Sequence, residues 1–265
     1  MAEHHARGLG AGVRSQFIAT DTLRPIAIDP EKAALMVIDM QYLDAHVDYG
    51  IGAVARSRGR SKEFEWYFRE MPRIIRNQRK LIDACRRKGI EIVYTRICSL
   101  TRDGRDTGYS FSRGAPIVTP VNSHEAQILH ELRPKSDDIV VAKTTASAFN
   151  SQYNTDRILR NMGIQILLVC GVLSNACVES TVRDAADLGY DVFTISDASL
   201  SFTKAQHELA LLEQGLFCSR IRTTREVLRE LERRKRAKSK SKLEYSTSSL
   251  PDSTKPSFDS KFRTF

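Results

Sequence analysis

The stretch "LLVCGVLSNACVESTVRDAADLGYDVFTISDA", residues 167–198, decides how the chain folds. An apolar run ends at Gly171, and five turn-like residues follow. Helical periodicity begins at Cys177, and a second apolar run, 191–198, closes the unit. Apolar strand, amphipathic helix and apolar strand in succession make a βαβ unit, which places the two strands parallel in one sheet.

The pattern continues outward in both directions. Short apolar runs at 33–40, 90–98, 138–143, 164–172, 191–198 and 219–224 read as six strands. The first four are apolar on both faces, as strands covered by helices on each side must be. Amphipathic segments at about 66–88, 123–132, 155–162, 176–188 and 203–216 lie between them, and a last helix spans about 224–238. Such alternation predicts an α/β fold, a doubly wound six-stranded parallel sheet with helices on both faces. Residues 1–30 read as an N-terminal arm, 31–238 as one α/β domain, and 239–265 as a basic, Ser-rich disordered tail.

Two long polar stretches, 41–65 and 99–122, interrupt the regularity. They are expected to be irregular loops, and loops of that length in a compact domain commonly carry function. Both leave the carboxyl ends of strands, where open α/β sheets bind ligands.

Bulk properties exclude several classes. The chain has 265 residues, 41% of them hydrophobic, and no apolar run long enough to span a membrane. The first residues lack the apolar core of a secretory signal. Five cysteines, an odd number, with several inside apolar runs, fit a reducing compartment, and a cytoplasmic location is expected. There is no CxxC, HExxH or GxxxxGK[ST] motif, and "GLGAG" at 8–12 follows no strand. The net charge of +9 is a property of the tail, because residues 233–242, "RRKRAKSKSK", carry seven positive charges. Removing those seven, with the balanced remainder, leaves 1–232 at +2, so a nucleic-acid partner is not expected.

Three residue types meet at strand ends. Asp39 ends the first run in "VIDMQ", Lys143 ends the third in "VVAKTTASAF", and Cys177 follows the fourth. Taken singly, each has an ordinary reading: a turn-forming acid, a solvated lysine, a packed thiol. Taken together they form a coherent set. A helix N-terminus and a nearby ammonium favour a thiolate, and a carboxylate can accept the thiol proton and return it to a leaving amine. Backbone N–H groups in the turn 172–177 can face a developing oxyanion. The set suits acyl transfer.

"ALMVIDMQ", "VVAKTTASAF" and "VCGVLSNACVESTVRDAADLGYDVFTISDA", in that order, resemble the isochorismatase-like cysteine hydrolases over about residues 31–231. The resemblance implies a catalytic triad of Asp39, Lys143 and Cys177 and a sheet of strand order 3-2-1-4-5-6. It also implies a cis peptide at Val172–Leu173 and an oxyanion hole built from the backbone N–H groups of Leu173 and Cys177. Members are commonly homo-oligomers, dimers or tetramers.

Differences within the family narrow the chemistry. Metal-binding relatives carry an Asp-x-His pair after the second strand, where this chain has "YTRICSL". Asp44 and His46 alone are too few ligands, so no metal or cofactor is expected. The "NACVESTVRDA" block is most similar to ureidoacrylate amidohydrolase, biuret hydrolase and N-carbamoylsarcosine amidase. The expected substrate is therefore a small carbamoyl or ureido compound, cleaved at a C–N bond with release of ammonia through a thioester-type intermediate. Gln41, Phe149, Asn175 and Gln214 are candidate substrate contacts, although Gln41 and Asn175 could equally cap local backbone. Arg102, Arg105 and Arg113 could grip a substrate carboxylate or stand solvated. Alternative readings are a vinyl ether hydrolase of the isochorismatase type and a non-catalytic binding protein on the same fold.

Overall fold

The computed structural model describes residues 26–108, 111 and 118–234. Most of the arm 1–30, the tail 239–265, the end of the last expected helix at 235–238, and Arg113 lie outside the described residues. Six strands form one parallel sheet: β1 (Ala33–Ile38), β2 (Glu91–Ile97), β3 (Ile139–Lys143), β4 (Ile166–Val172), β5 (Asp191–Leu200) and β6 (Arg220–Arg222). Their order is β3-β2-β1-β4-β5-β6, so the winding reverses between β1 and β4. The helices are α1 (Tyr42–Ala45), α2 (Gly50–Ser57), α3 (Glu65–Lys88), α4 (Thr155–Asn161), α5 (Cys177–Asp187), α6 (Lys204–Phe217) and α7 (Thr224–Arg233).

Strand alternation sorts side chains into two cores. Ala33, Leu35 and Val37 of β1 pack on one face with Tyr67, Met71, Ile74 and Leu81 of α3 and with Val227 and Leu231 of α7. Ala34, Met36 and Ile38 pack on the other, with Leu159 of α4 and Val178, Val182 and Ala185 of α5. Every β1 residue is sealed from water, which explains why this strand reads as an unbroken apolar run.

Two expectations are corrected. The helix expected at 123–132 is a set of turns followed by a 3-10 turn at His130–Leu132. Its carbonyls face another segment: Tyr42 and Leu43 N–H donate to Gln127 and Glu125 C=O, and Leu129 N–H donates to Met40 C=O. Those bonds pin the chain after β1 and leave no i→i+4 ladder. The stretch 41–65 is not irregular either, since it holds α1, α2 and a 3-10 turn at Ser61–Phe64. Gly50 makes that packing possible: its φ is +44°, and a Cβ would lie 2.1 Å from the Leu43 carbonyl oxygen.

At the reversal point β1 and β4 approach closely. Gly171 has φ +128°, and a Cβ there would stand 2.1 Å from the Ile38 carbonyl oxygen. Any larger residue would push β4 away from β1 just where both chains leave the sheet. Among the described residues no helix is long and apolar enough to cross a membrane.

Candidate active site

Asp39, the first residue past β1, has φ +51°, a left-handed conformation uncommon for a residue other than glycine. Its neighbours hold it there. The Asp39 N–H donates to both Thr95 C=O and Thr95 Oγ1, and Gln41 N–H donates to Asp39 C=O at 2.9 Å. Thr95 Oγ1–H in turn donates to Asp39 Oδ1 at 2.6 Å. The carboxylate is thus aimed by β2, a strand that supplies no residue to the expected triad.

Lys143, the last residue of β3, reaches across to Asp39. Its Nζ donates to Asp39 Oδ2 at 2.7 Å, Thr145 C=O at 3.0 Å and Ala146 C=O at 2.8 Å. All three ammonium protons are therefore engaged. Burial pushes the Lys143 pKa down, but Asp39 and Cys177 beside it outweigh burial and hold the ammonium above its ordinary value. The pair is sealed, with side chains 0% and 1% exposed.

Cys177 opens α5, and its buried thiol shares the electrostatic surroundings of Asp39 and Lys143. The three residues expected to act together are brought into one cluster. The state of the thiol differs from the expectation of a ready thiolate. Burial pushes its pKa well above the usual thiol value, Lys143 pulls it back, and Asp39 and Asp44 add to the rise. Desolvation outweighs the helix dipole and the single ammonium, whose charge Asp39 already balances. The resting site therefore holds a neutral thiol.

The turn before Cys177 is held from several sides. The Val172–Leu173 peptide is cis. Leu173 C=O accepts from the N–H groups of Ala176 and Val178, and Ser174 N–H donates to Leu200 C=O. Ser174 Oγ lies 2.8 Å from His207 Nδ1 of α6. The N–H groups of Leu173 and Cys177 donate to no carbonyl of the described residues, so both remain available.

The remaining candidates divide. Gln41 is corrected to a structural role: its amide donates to Ile97 C=O and Glu125 C=O and accepts from Ile97 N–H, all within the protein. Gln214 is corrected likewise, because it is fully buried, donates to Ser174 C=O and accepts from Thr194 Oγ1–H. Asn175 is exposed, and its Oδ1 accepts from Ser201 Oγ–H. Phe149 packs against the core cluster that contains Cys177 and stacks 5.7 Å from Tyr190. Arg102 and Arg105 are solvent-exposed, the latter paired with Asp103. The loop that carries them returns to the site, since Gly108 N–H donates to Thr144 C=O beside Lys143.

Thr95 carried no sequence signal, and Asp44 carried one only as half of an incomplete metal pair. Thr95 sits in the middle of β2, and its role depends on strand register alone. Asp44 lies in α1, where burial first, and Asp39 second, raise its pKa to about 8 against the pull of Lys143. Its Oδ2 is buried and has no hydrogen-bond partner.

Comparison with known proteins agrees with the fold. Residues 33–226 match the isochorismatase domain. The chain is 28% identical over 200 residues to a ureidoacrylate amidohydrolase of Rhizobium rhizogenes, covering 66% of this chain and 73% of that one. It is 26% identical over 210 residues to a phenazine biosynthesis protein of Pseudomonas aeruginosa, covering 76% and 87%. A cysteine hydrolase structure from Pseudomonas syringae pv. phaseolicola superposes with a TM-score of 0.66 at 26% identity, covering 78% of this chain and 96% of that one. With the family model spanning all six strands and every residue of the cluster around Asp39, the chain belongs to the isochorismatase family of hydrolases.

Proposed function

We propose that the protein is a cysteine-dependent amidohydrolase that cleaves a C–N bond of a small carbamoyl or ureido compound. One observation carries the reading: a buried thiol at a helix start is grouped with a carboxylate that a saturated lysine holds in place. Its likeness to ureidoacrylate amidohydrolases supports the substrate class.

The roles follow from the contacts. Asp39 takes the Cys177 proton as Sγ attacks the carbonyl carbon, and the oxygen that gains charge faces the N–H groups of Leu173 and Cys177. The tetrahedral adduct collapses with cleavage of the C–N bond. Asp39 returns the proton to the departing nitrogen, and ammonia leaves an acyl or carbamoyl thioester on Cys177. Water then gives a proton to Asp39 and its hydroxide to the carbonyl, and the sulfur recovers that proton when the acid departs. Lys143 has no free proton to give, so it acts by holding Asp39 and by its charge.

A screen for ammonia release over ureido acids, biuret, carbamoyl amino acids, nicotinamide and simple amides tests the reading. Release by the wild type, and its loss in Cys177→Ala with the fold intact, is the expected result. Near-normal release by the Ala variant would sink it. The match to the isochorismatase domain keeps, as second reading, a vinyl ether hydrolase of the isochorismatase type. That activity would survive Cys177→Ala and yield no ammonia.

A further inference from the structure

We propose that Asp44 is the substrate-recognition residue of this site, its Oδ2 accepting an N–H of an uncharged urea-type amide. The proposal rests on the amidohydrolase reading and adds to it the group that selects the substrate.

The argument starts from an unpaired atom. A buried polar atom without a partner costs about 1–3 kcal/mol, so native proteins hold few of them, and each calls for an account. Five such side-chain atoms occur among the described residues, and of these only Asp44 Oδ2 belongs to a residue that interacts with Asp39, Lys143 and Cys177. Its backbone is not free to swing away. Asp44 N–H donates to Gln41 C=O at 3.2 Å, and Asp44 C=O accepts from Tyr67 O–H of α3 at 2.9 Å.

The charged and titratable groups facing Asp44 come from four elements: Asp39 after β1, Lys143 of β3, Cys177 of α5 and Tyr67 of α3. His46, two residues on, is turned to the Tyr42 and Tyr49 rings. On α2, Arg56 pairs with Asp48 at the surface. With Asp39 balanced by Lys143 and the thiol neutral, the cluster has no net charge when Asp44 carries its proton. The carboxyl stays protonated up to about pH 8. In that state it has one acceptor oxygen and one O–H donor. It therefore matches a neutral ureido or amide nitrogen and gives no charge to a guanidinium. Once ionised, it would favour the cation.

Methylurea and methylguanidinium, equal in shape and different in charge, separate these cases. Their binding to the full chain is measured by NMR titration from pH 6 to 9.5, in wild type, Asp44→Asn and Asp44→Leu. Wild type should bind methylurea at pH 7 and gain affinity for methylguanidinium, at least tenfold, as pH passes 8. Asp44→Asn should keep methylurea binding, because its amide oxygen accepts the same N–H, and lose the pH-dependent gain. Asp44→Leu should bind methylurea at least tenfold more weakly. Absence of methylurea binding to the wild type would overturn the proposal, as would equal binding in the Leu variant or a gain that survives in Asp44→Asn. Binding needs no working thiol, so failure here is distinct from failure of the ammonia assay.

Discussion

Lys143 Nζ lies 2.7 Å from Asp39 Oδ2, and neither side chain is open to water. Removing one partner of such a pair leaves a buried charge uncompensated, which costs about 3–5 kcal/mol. Lys143→Met should lower stability by that amount in urea denaturation. The double variant Asp39→Asn/Lys143→Met should be less destabilised than the sum of the singles, because it buries no lone charge. Additive losses would mean that the pair is not the coupled unit its geometry implies.

Thr95 is the second support of Asp39. Thr95→Val keeps the shape of the side chain and removes the 2.6 Å bond to Oδ1. Hydrogen bonds to charged groups contribute about 1.5–3 kcal/mol. The loss should fall on kcat more than on KM, since Thr95 touches the proton acceptor and not the substrate. A change confined to KM would place Thr95 in substrate binding instead.

Alkylation by iodoacetamide, mapped by peptide mass spectrometry, separates thiol ionisation from turnover. Burial, opposed by Lys143 and aided by Asp39, holds the Cys177 thiol protonated. Labelling of Cys177 should therefore climb with pH through the alkaline range. In Asp39→Asn the carboxylate's upward push is gone, so labelling at neutral pH should be several-fold faster while ammonia release falls. In Lys143→Met the opposing pull is gone and labelling should slow. Slower labelling in the Asn variant would show that Asp39 stabilises the thiolate, contrary to its place here.

The sheet and the cluster of Asp39, Lys143 and Cys177 were legible because parallel strands buried on both faces print as apolar runs, and the candidate site lies where those runs stop. Asp39, Lys143 and Cys177 each follow or end such a run. The helix expected at 123–132 has the right periodicity, yet its carbonyls are taken by Tyr42 and Leu43, and that exchange between distant segments leaves no local trace. Gln41 and Gln214 read as substrate contacts for the same reason: sequence shows an amide near a site and not which backbone it already serves. Thr95 is 56 residues from Asp39, and only strand register joins them. Asp44 read as half of an incomplete metal pair, since nothing in its neighbours announces a carboxyl with one buried, unpaired oxygen.

The pKa of Asp44 also makes a statement about stability. Its folded value of about 8 lies above the ordinary carboxyl value of 3.8, so the folded state holds the proton more tightly than the unfolded chain. The stabilising contribution is full below pH 4, where both states are protonated. It is lost as pH rises toward 8, at up to about 1.4 kcal/mol per pH unit, because the unfolded carboxyl is already ionised while the buried one is not. Asp44→Asn removes this dependence. The variant should therefore gain on the wild type as pH rises from 5 to 8 in urea titrations, with the gap levelling above 8, where both forms of the wild-type carboxyl are ionised. A gap that stays constant across that range would mean that Asp44 ionises in the folded protein as it does in water, and that its buried oxygen is solvated after all.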